Sequence, residues 1–313
     1  MGRSAGARSR PVNLVAREWC CSSGDEERLP EGGDQVIRVV TDSASDLPPE
    51  LADAEGIEVV PLYVTFGGET YRDGVDLKPQ EFFARLRASD ELPTTAQPTP
   101  GDFVRAFERL ASQGATGIVV LTLSSGISGT FNSALQAARM WKERAVEVID
   151  SRTALMAQGF GALAAARLAR AQASLEEVAN EARRVLKRTR LLAAVPTLEY
   201  LRRGGRIGRA AALVGNLLQI KPVVGDQDGV VTPVARLRTW KRALGYIMNR
   251  AVEELTPGQG RLAVMHADAL EDAQRVLEQL VERVKPVETI LTDFSPVLGT
   301  HSGPGAICVV YYQ

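Results

Sequence analysis

An α/β protein with a mainly parallel sheet in its first half and a mixed α/β unit in its second is the architecture this sequence predicts. Three observations carry that expectation. From Val36 onward, short apolar runs alternate with amphipathic segments of helical length, the pattern of strands buried on both faces by crossover helices. The chain has 313 residues, enough for two cores of about 100–200 residues each. Its second half then gathers six strand-like runs around two further helical segments.

In order, Val36–Val40 reads as a strand, and Pro48-Pro49 opens a short helix that Gly56 stops. Ile57–Phe66 is rich in β-formers and turns at Gly67-Gly68. Pro79–Ala88 and Pro100–Gln113 are helices, because Phe82, Phe83 and Leu86, then Phe103, Phe107 and Leu110, recur at helical spacing. Ile118–Leu123 and Val146–Ile149 are buried strands with a helix near 130–143 between them. Thr153–Gln172 and Leu175–Thr189 are two long helices. The second sheet takes Leu191–Val195, Gln219–Val224, Val230–Arg236, Leu262–His266, Thr289–Thr292 and Ala306–Tyr312. Gly225–Gly229 is its hairpin turn, and helices Thr239–Leu255 and Ala269–Val284 cover one face. The division falls at residue 170, giving units 36–170 and 171–313, with ligand expected between them or at strand C-terminal ends.

Met1–Gln35 lacks periodicity and lacks the apolar core of a signal peptide, so it reads as a disordered extension. Thirty-seven basic and 38 acidic residues nearly cancel, which gives no electrostatic case for nucleic acid and at most transient membrane contact. No run approaches the length of a transmembrane helix. Cys20, Cys21 and Cys308 form neither a disulfide framework nor a metal motif, a usage that fits a reducing cytoplasm. No metal and no cofactor are expected.

The polar chemistry concentrates in loops. Ser124-Ser125-Gly126-Ile127-Ser128-Gly129-Thr130 follows a strand and opens a helix, where unpaired N–H groups, hydroxyls and the helix dipole together suit an anion. The loop has no Lys, so it is not a nucleotide phosphate loop; a carboxylate is the better match, with Ser128 and Gly129 as candidate contacts. An N-cap and tight turn is the simpler alternative. Ser43, in Thr41–Asp46, leaves the first strand, where helix capping competes with a ligand role. Thr95 lies in the stiff Pro93–Pro100 loop, and His301 adjoins a Gly-Pro-Gly turn; His266 reads as structural. Arg202, Arg203, Arg206 and Arg209 stud a helix stopped by Gly204-Gly205, a solvated face or a docking surface for an acidic or phosphate-bearing partner.

Two near-motifs fail on context. Gly126-Ile127-Ser128-Gly129-Thr130 approaches a hydrolase elbow but ends in Thr. Gly159-Phe160-Gly161-Ala162-Leu163-Ala164 matches a dinucleotide fingerprint but lies inside a helix.

The ordered series TDSASDLP, PTTAQPTPGDF, LSSGISGTFNSA, VIDSRTALMAQGFG, TLEYLRRGGRIG, IKPVV…DG and HSGPGA resembles the DegV family of bacterial fatty-acid-binding proteins over about residues 36–313. The resemblance implies a two-unit α/β fold enclosing one long-chain fatty acid, whose carboxylate is presented to a separate fatty-acid kinase. It implies a non-catalytic carrier with a bound fatty acid, and no nucleotide site of its own. Thr95, Ser128 and His301 match the family's head-group residues, with Ser43 and Gly129 beside them. Arg203, Arg206 and Arg209 fall where partner docking is implied. Ala96 and Ala44 stand where the family usually has hydroxyl residues. A serine–histidine acyl hydrolase is the alternative reading.

Overall fold

In the computed structural model the described residues are 35–313; the expected extension, apart from Gln35, lies outside them. The first half runs β1 (Ile37–Asp42), α1 (Pro49–Glu55), β2 (Ile57–Val60), β3 (Tyr63–Phe66), β4 (Glu69–Arg72) and α2 (Pro79–Ala88). It continues through β5 (Thr94–Ala96), α3 (Pro100–Ser112), β6 (Gly117–Thr122), α4 (Thr130–Met140), β7 (Ala145–Asp150) and α5 (Leu155–Arg170). After α6 (Leu175–Arg188) come β8 (Arg190–Ala194), α7 (Glu199–Arg203), a 3-10 helix over Gly208–Gln219, β9 (Lys221–Gln227) and β10 (Val230–Leu237). The chain ends with α8 (Trp240–Glu254), β11 (Arg261–His266), α9 (Leu270–Val284), β12 (Glu288–Asp293), α10 (Pro296–Ser302) and β13 (Ile307–Tyr312).

The four-stranded sheet has the order β2-β1-β6-β7, and all its pairs are parallel. Every residue of β6 is buried, as a central strand covered on both faces requires. On one face Phe103, Phe107, Ala134 and Trp141 of α3, α4 and the turn after it pack on Val40 and Val120. On the other, Val39, Val119 and Leu121 join Phe160 of α5 and Val178 of α6.

The six-stranded sheet has the order β10-β9-β8-β13-β11-β12, with β11 and β12 the parallel pair and the rest antiparallel. Alternation along β13 divides its side chains between the two faces. Ile307, Val309 and Tyr311 join α8 and α9, whereas Cys308, Val310 and Tyr312 face the core that contains α5. The Phe160 and Tyr312 rings meet edge to face at 5.1 Å. The all-parallel sheet therefore precedes residue 170 and the six-stranded mixed sheet follows it, but one continuous core spans both because α5 lies between the sheets.

Three expectations are corrected here. Ile57–Phe66 is two strands separated at Pro61-Leu62: β2 extends the parallel sheet, while β3 centres a three-stranded antiparallel sheet, β4-β3-β5. The proline-flanked segment around Thr95 is an edge strand of that small sheet, paired Val64 to Thr95. The hairpin turn is also shorter than expected, since β9 continues through Gly225 and Asp226 to Gln227.

Candidate ligand-binding site

The C-terminal ends of β1 and β6 are fastened from within. Asp42 accepts the Ala44 N–H at 3.1 Å and the Leu123 N–H at 2.7 Å, which sets where the 124–130 loop leaves the sheet. Burial raises the Asp42 carboxyl to about 7, against these hydrogen bonds. Asp73 accepts from Ser43 Oγ at 2.6 Å and from the Val297 N–H at 3.0 Å, and Asp46 accepts the Ser295 N–H at 3.2 Å. These carboxyls hold the start of α10. Burial lifts Asp73 to about 6 and Asp46 well above its ordinary range.

Between these loop ends and one face of the mixed sheet lies a cavity of about 170 Å³. Most of its wall is apolar: Leu62, Leu123, Ile127 and Leu155 on one side, Leu191, Ala193, Val195 and Val224 from β8, β9 and the residue after β8, and Phe294, Val297 and Leu298 around α10. Polar groups enter at a few points, among them Thr95, Gln97, Ser128, Arg206 and His301.

Those five are brought together by contacts that span the chain. Thr95 Oγ1 lies 2.9 Å from His301 Nε2, although 206 residues separate them in sequence. Ser128 Oγ lies 2.8 Å from Thr130 Oγ1 and accepts the Thr130 N–H at 3.3 Å. A side chain at Gly129 would run into the Gln97 amide, so glycine there lets Gln97 lie against the loop. Arg206 donates from Nε to the Ile127 carbonyl at 3.3 Å and from a terminal nitrogen to the Gly204 carbonyl at 2.8 Å. Gly204 in turn abuts His301 Nδ1, leaving no room for a β-carbon.

His301 is half-buried, and desolvation followed by the Arg206 charge pulls its pKa down to about 4. It is therefore a neutral imidazole at neutral pH, with Nδ1 buried and without a hydrogen-bond partner. Such a group can donate or accept toward a ligand without adding charge. Its Nε2 faces Thr95 and the Ser128 hydroxyl faces Thr130, so a serine–histidine nucleophile pair is not assembled here.

Of the residues singled out from sequence, Thr95, Ser128 and His301 line the cavity. Ser43 does not: its hydroxyl is committed to Asp73 and to the Leu62 N–H at 3.0 Å, supporting the wall from behind. Gly129 also stands behind the wall, as the N-cap of α4. Arg203 is exposed, and Arg209 pairs with Asp228 at 3.0 Å. Arg206 corrects the expectation of a surface residue: it is half-buried in the cavity wall, because the αR Gly204 and left-handed Gly205 fold the chain back toward the Ile127 loop. His266 is buried at the end of β11, 3.4 Å from Asp293 and outside the cavity. The glycines of the dinucleotide-like run are packing positions, Gly161 resting on Leu186 of α6 and Leu121 of β6.

Gln97, Thr153 and Asp226 line the cavity and were missed in sequence. Carrying the β9 alternation two residues further would have aimed Asp226 at the same face as Val224. Among the described residues, no group of three or more His, Cys, Asp or Glu side chains is arranged to hold a metal, and no helix is long and apolar enough to cross a membrane.

Fold and site together define an α/β protein with a largely apolar cavity whose wall gathers hydroxyls, a neutral histidine and an arginine. The family profile described as "Uncharacterised protein, DegV family" matches residues 36–313, and the chain belongs to that family. A DegV domain-containing protein of Halalkalibacterium halodurans is 37% identical over 277 residues, covering 88% of this chain and 98% of that protein. Among solved structures, the DegV family protein from Thermus thermophilus, described by its fatty acid binding, superposes with a TM-score of 0.82 at 35% identity, over 89% of this chain and all of that one. DegV of Bacillus subtilis, described as a fatty acid binding protein, gives a TM-score of 0.80 at 35% identity over the same shares.

Proposed function

We propose that this protein binds one long-chain fatty acid in the cavity, between the units 36–170 and 171–313, and presents its carboxylate to a separate fatty-acid kinase. The observation that carries the reading is the neutral His301–Thr95 pair in the wall of a largely apolar cavity, in a family whose solved members include fatty acid binding proteins. A carboxylate taken from water needs hydrogen bonds to offset its desolvation. The Thr95 and Ser128 hydroxyls and the His301 imidazole supply them while leaving an oxygen open to reaction. The tail contributes about 0.8 kcal/mol per buried methylene, so tail burial dominates affinity and the head-group cluster sets orientation. Ser43 and Gly129 act through the groups they support. Arg203 and Arg209 offer the kinase an exposed basic surface, and Arg206 joins that surface to the head group. The chain itself supplies no catalytic step and requires no metal or cofactor, and it works in the cytoplasm.

The test is organic extraction of purified protein and mass spectrometry of the extract, followed by acyl-phosphate formation with an added fatty-acid kinase and ATP. About one fatty acid per chain is expected. Thr95→Ala and Ser128→Ala should each weaken head-group binding by roughly 1–3 kcal/mol, and Arg203→Glu should spare lipid content but slow acyl-phosphate formation. An extract without fatty acid above a control protein refutes the reading, as does unchanged affinity and acyl-phosphate formation in both hydroxyl variants.

A further inference from the structure

The cavity has a second polar point that the proposed function does not use. Leu191, Ala193 and Val195 all line the cavity, as alternate residues on one face must. β9 runs antiparallel to β8 with Leu192 opposite Gly225 and Ala193 opposite Val224, which brings Asp226 beside Leu191. The other end, at Val195, leads to the Pro196 ring that abuts Gly305 and then to α7, whose following Gly204 abuts His301. Four residues of strand separate Val195 from Leu191, about 13 Å at the usual rise. A chain held by its carboxylate at Thr95, Ser128 and His301 and laid along β8 from Val195 toward Leu191 meets Asp226 with its distal half.

Asp226 has an unusual setting. It lines both the cavity and a second, larger cleft behind it, and the two share Thr153, Leu191, Gly225, Asp226 and Gly229 as a common wall. Burial pushes its carboxyl above the ordinary range, with the neighbouring Thr153 hydroxyl the strongest opposing influence. Thr153 Oγ1 is itself buried without a hydrogen-bond partner at normal distance. Unsubstituted methylenes laid against this pair would leave the buried Thr153 hydroxyl without a partner. An alkyl hydroxyl at the same point would donate to the Asp226 carboxyl and accept from Thr153.

Resting on the fatty-acid reading above, we propose that Asp226 and Thr153 form a polar subsite in the distal wall of the cavity, which selects a long-chain fatty acid carrying a hydroxyl on its distal half. Sites built to hydrogen-bond a ligand hydroxyl discriminate against the analogue that lacks it, because their own polar groups are then left unpaired.

The test offers the delipidated full chain an equimolar mixture of stearic and 12-hydroxystearic acids and reads the retained acids by mass spectrometry. The hydroxylated acid should be enriched roughly tenfold or more. Asp226→Leu should bring the ratio to one or below. Asp226→Asn, which keeps hydrogen-bonding atoms at the site, should retain the preference, and Thr153→Val should reduce it even if the leucine variant fails to fold. Equal retention by the wild type, or a preference that survives both Asp226→Leu and Thr153→Val, overturns the subsite. Retention of stearic acid alone overturns the subsite and leaves the fatty-acid reading standing, whereas retention of neither acid overturns both.

Discussion

Replacing His301 with glutamine should remove a specific portion of the protein's acid sensitivity. The imidazole is half-buried beside Arg206, and desolvation lowers its pKa from 6.5 to about 4. In the unfolded chain the group takes a proton as the pH drops through 6.5, while the folded protein refuses it until about pH 4. The stability it contributes is therefore present above its unfolded pKa and lost as pH falls toward the folded one. At pH 5 the unfolded group lies one and a half units below its pKa, a loss of about 2 kcal/mol at 1.36 kcal/mol per unit. Asp42 and Asp73 act in the opposite sense. Their folded pKa values, about 7 and about 6, stand above the ordinary 3.8, so their contribution is present below 3.8 and lost as pH rises through 6 to 7. Both proteins share those aspartates, so their effect cancels in the comparison. Urea unfolding of delipidated wild type and His301→Gln at pH 7 and pH 5 measures the difference. The wild type should lose about 2 kcal/mol more than the variant across that interval. An equal loss in both proteins would refute the desolvated neutral histidine.

Gly204→Ala tests the seat of that histidine. Gly204 has an ordinary φ of −75°, so the substitution adds no backbone strain; its methyl instead occupies the place of His301 Nδ1. A loss of about 1–3 kcal/mol is expected, together with most of the wild-type acid sensitivity, and a variant with unchanged stability and pH profile would contradict the packing. Arg167→Met tests the join around α5, because Arg167 bridges Glu55 at the end of α1 at 2.9 Å and Glu288 of β12 at 2.5 Å. Arg170 still pairs with Glu55 at 2.7 Å and Arg261 with Glu288 at 3.2 Å, so losing the bridge should cost up to about 1 kcal/mol in urea unfolding, and equal stability would show that solvent and the remaining arginines already screen the pair.

Much of the fold was legible because its elements announce themselves locally. Proline at the first position and the Phe82, Phe83 and Leu86 spacing mark α2 at Pro79–Ala88, the limits expected from sequence. The six strands of the mixed sheet are apolar runs between turn residues, and all six formed. β5 was not legible, since three residues among prolines carry no period and their strand character comes wholly from pairing with β3. α10 was hidden by Gly299, a helix-breaking residue on propensity alone. It is required there because any side chain would strike the Phe82 and Phe83 rings.

The candidate site divides in the same way. Thr95, Ser128 and His301 could be singled out because each lies in a segment whose residue types suit polar contacts, yet nothing local says which of them meet. Only the folded chain places Thr95 against His301 across 206 residues, closes Ser128 onto Thr130, and leaves Ser43 occupied with Asp73. Arg206 and Asp226 make the point from the other side. By sequence one belongs to a basic surface run and the other to a hairpin turn, but backbone direction after Gly204 and strand register beside Leu191 turn both into the cavity wall. Residue type and period, which act over a few neighbours, determined the alternating elements and the kinds of polar groups available. Which face each group occupies, how far it is desolvated and what it touches were decided by long-range pairing and packing, because those depend on chain segments brought together from opposite ends of the sequence.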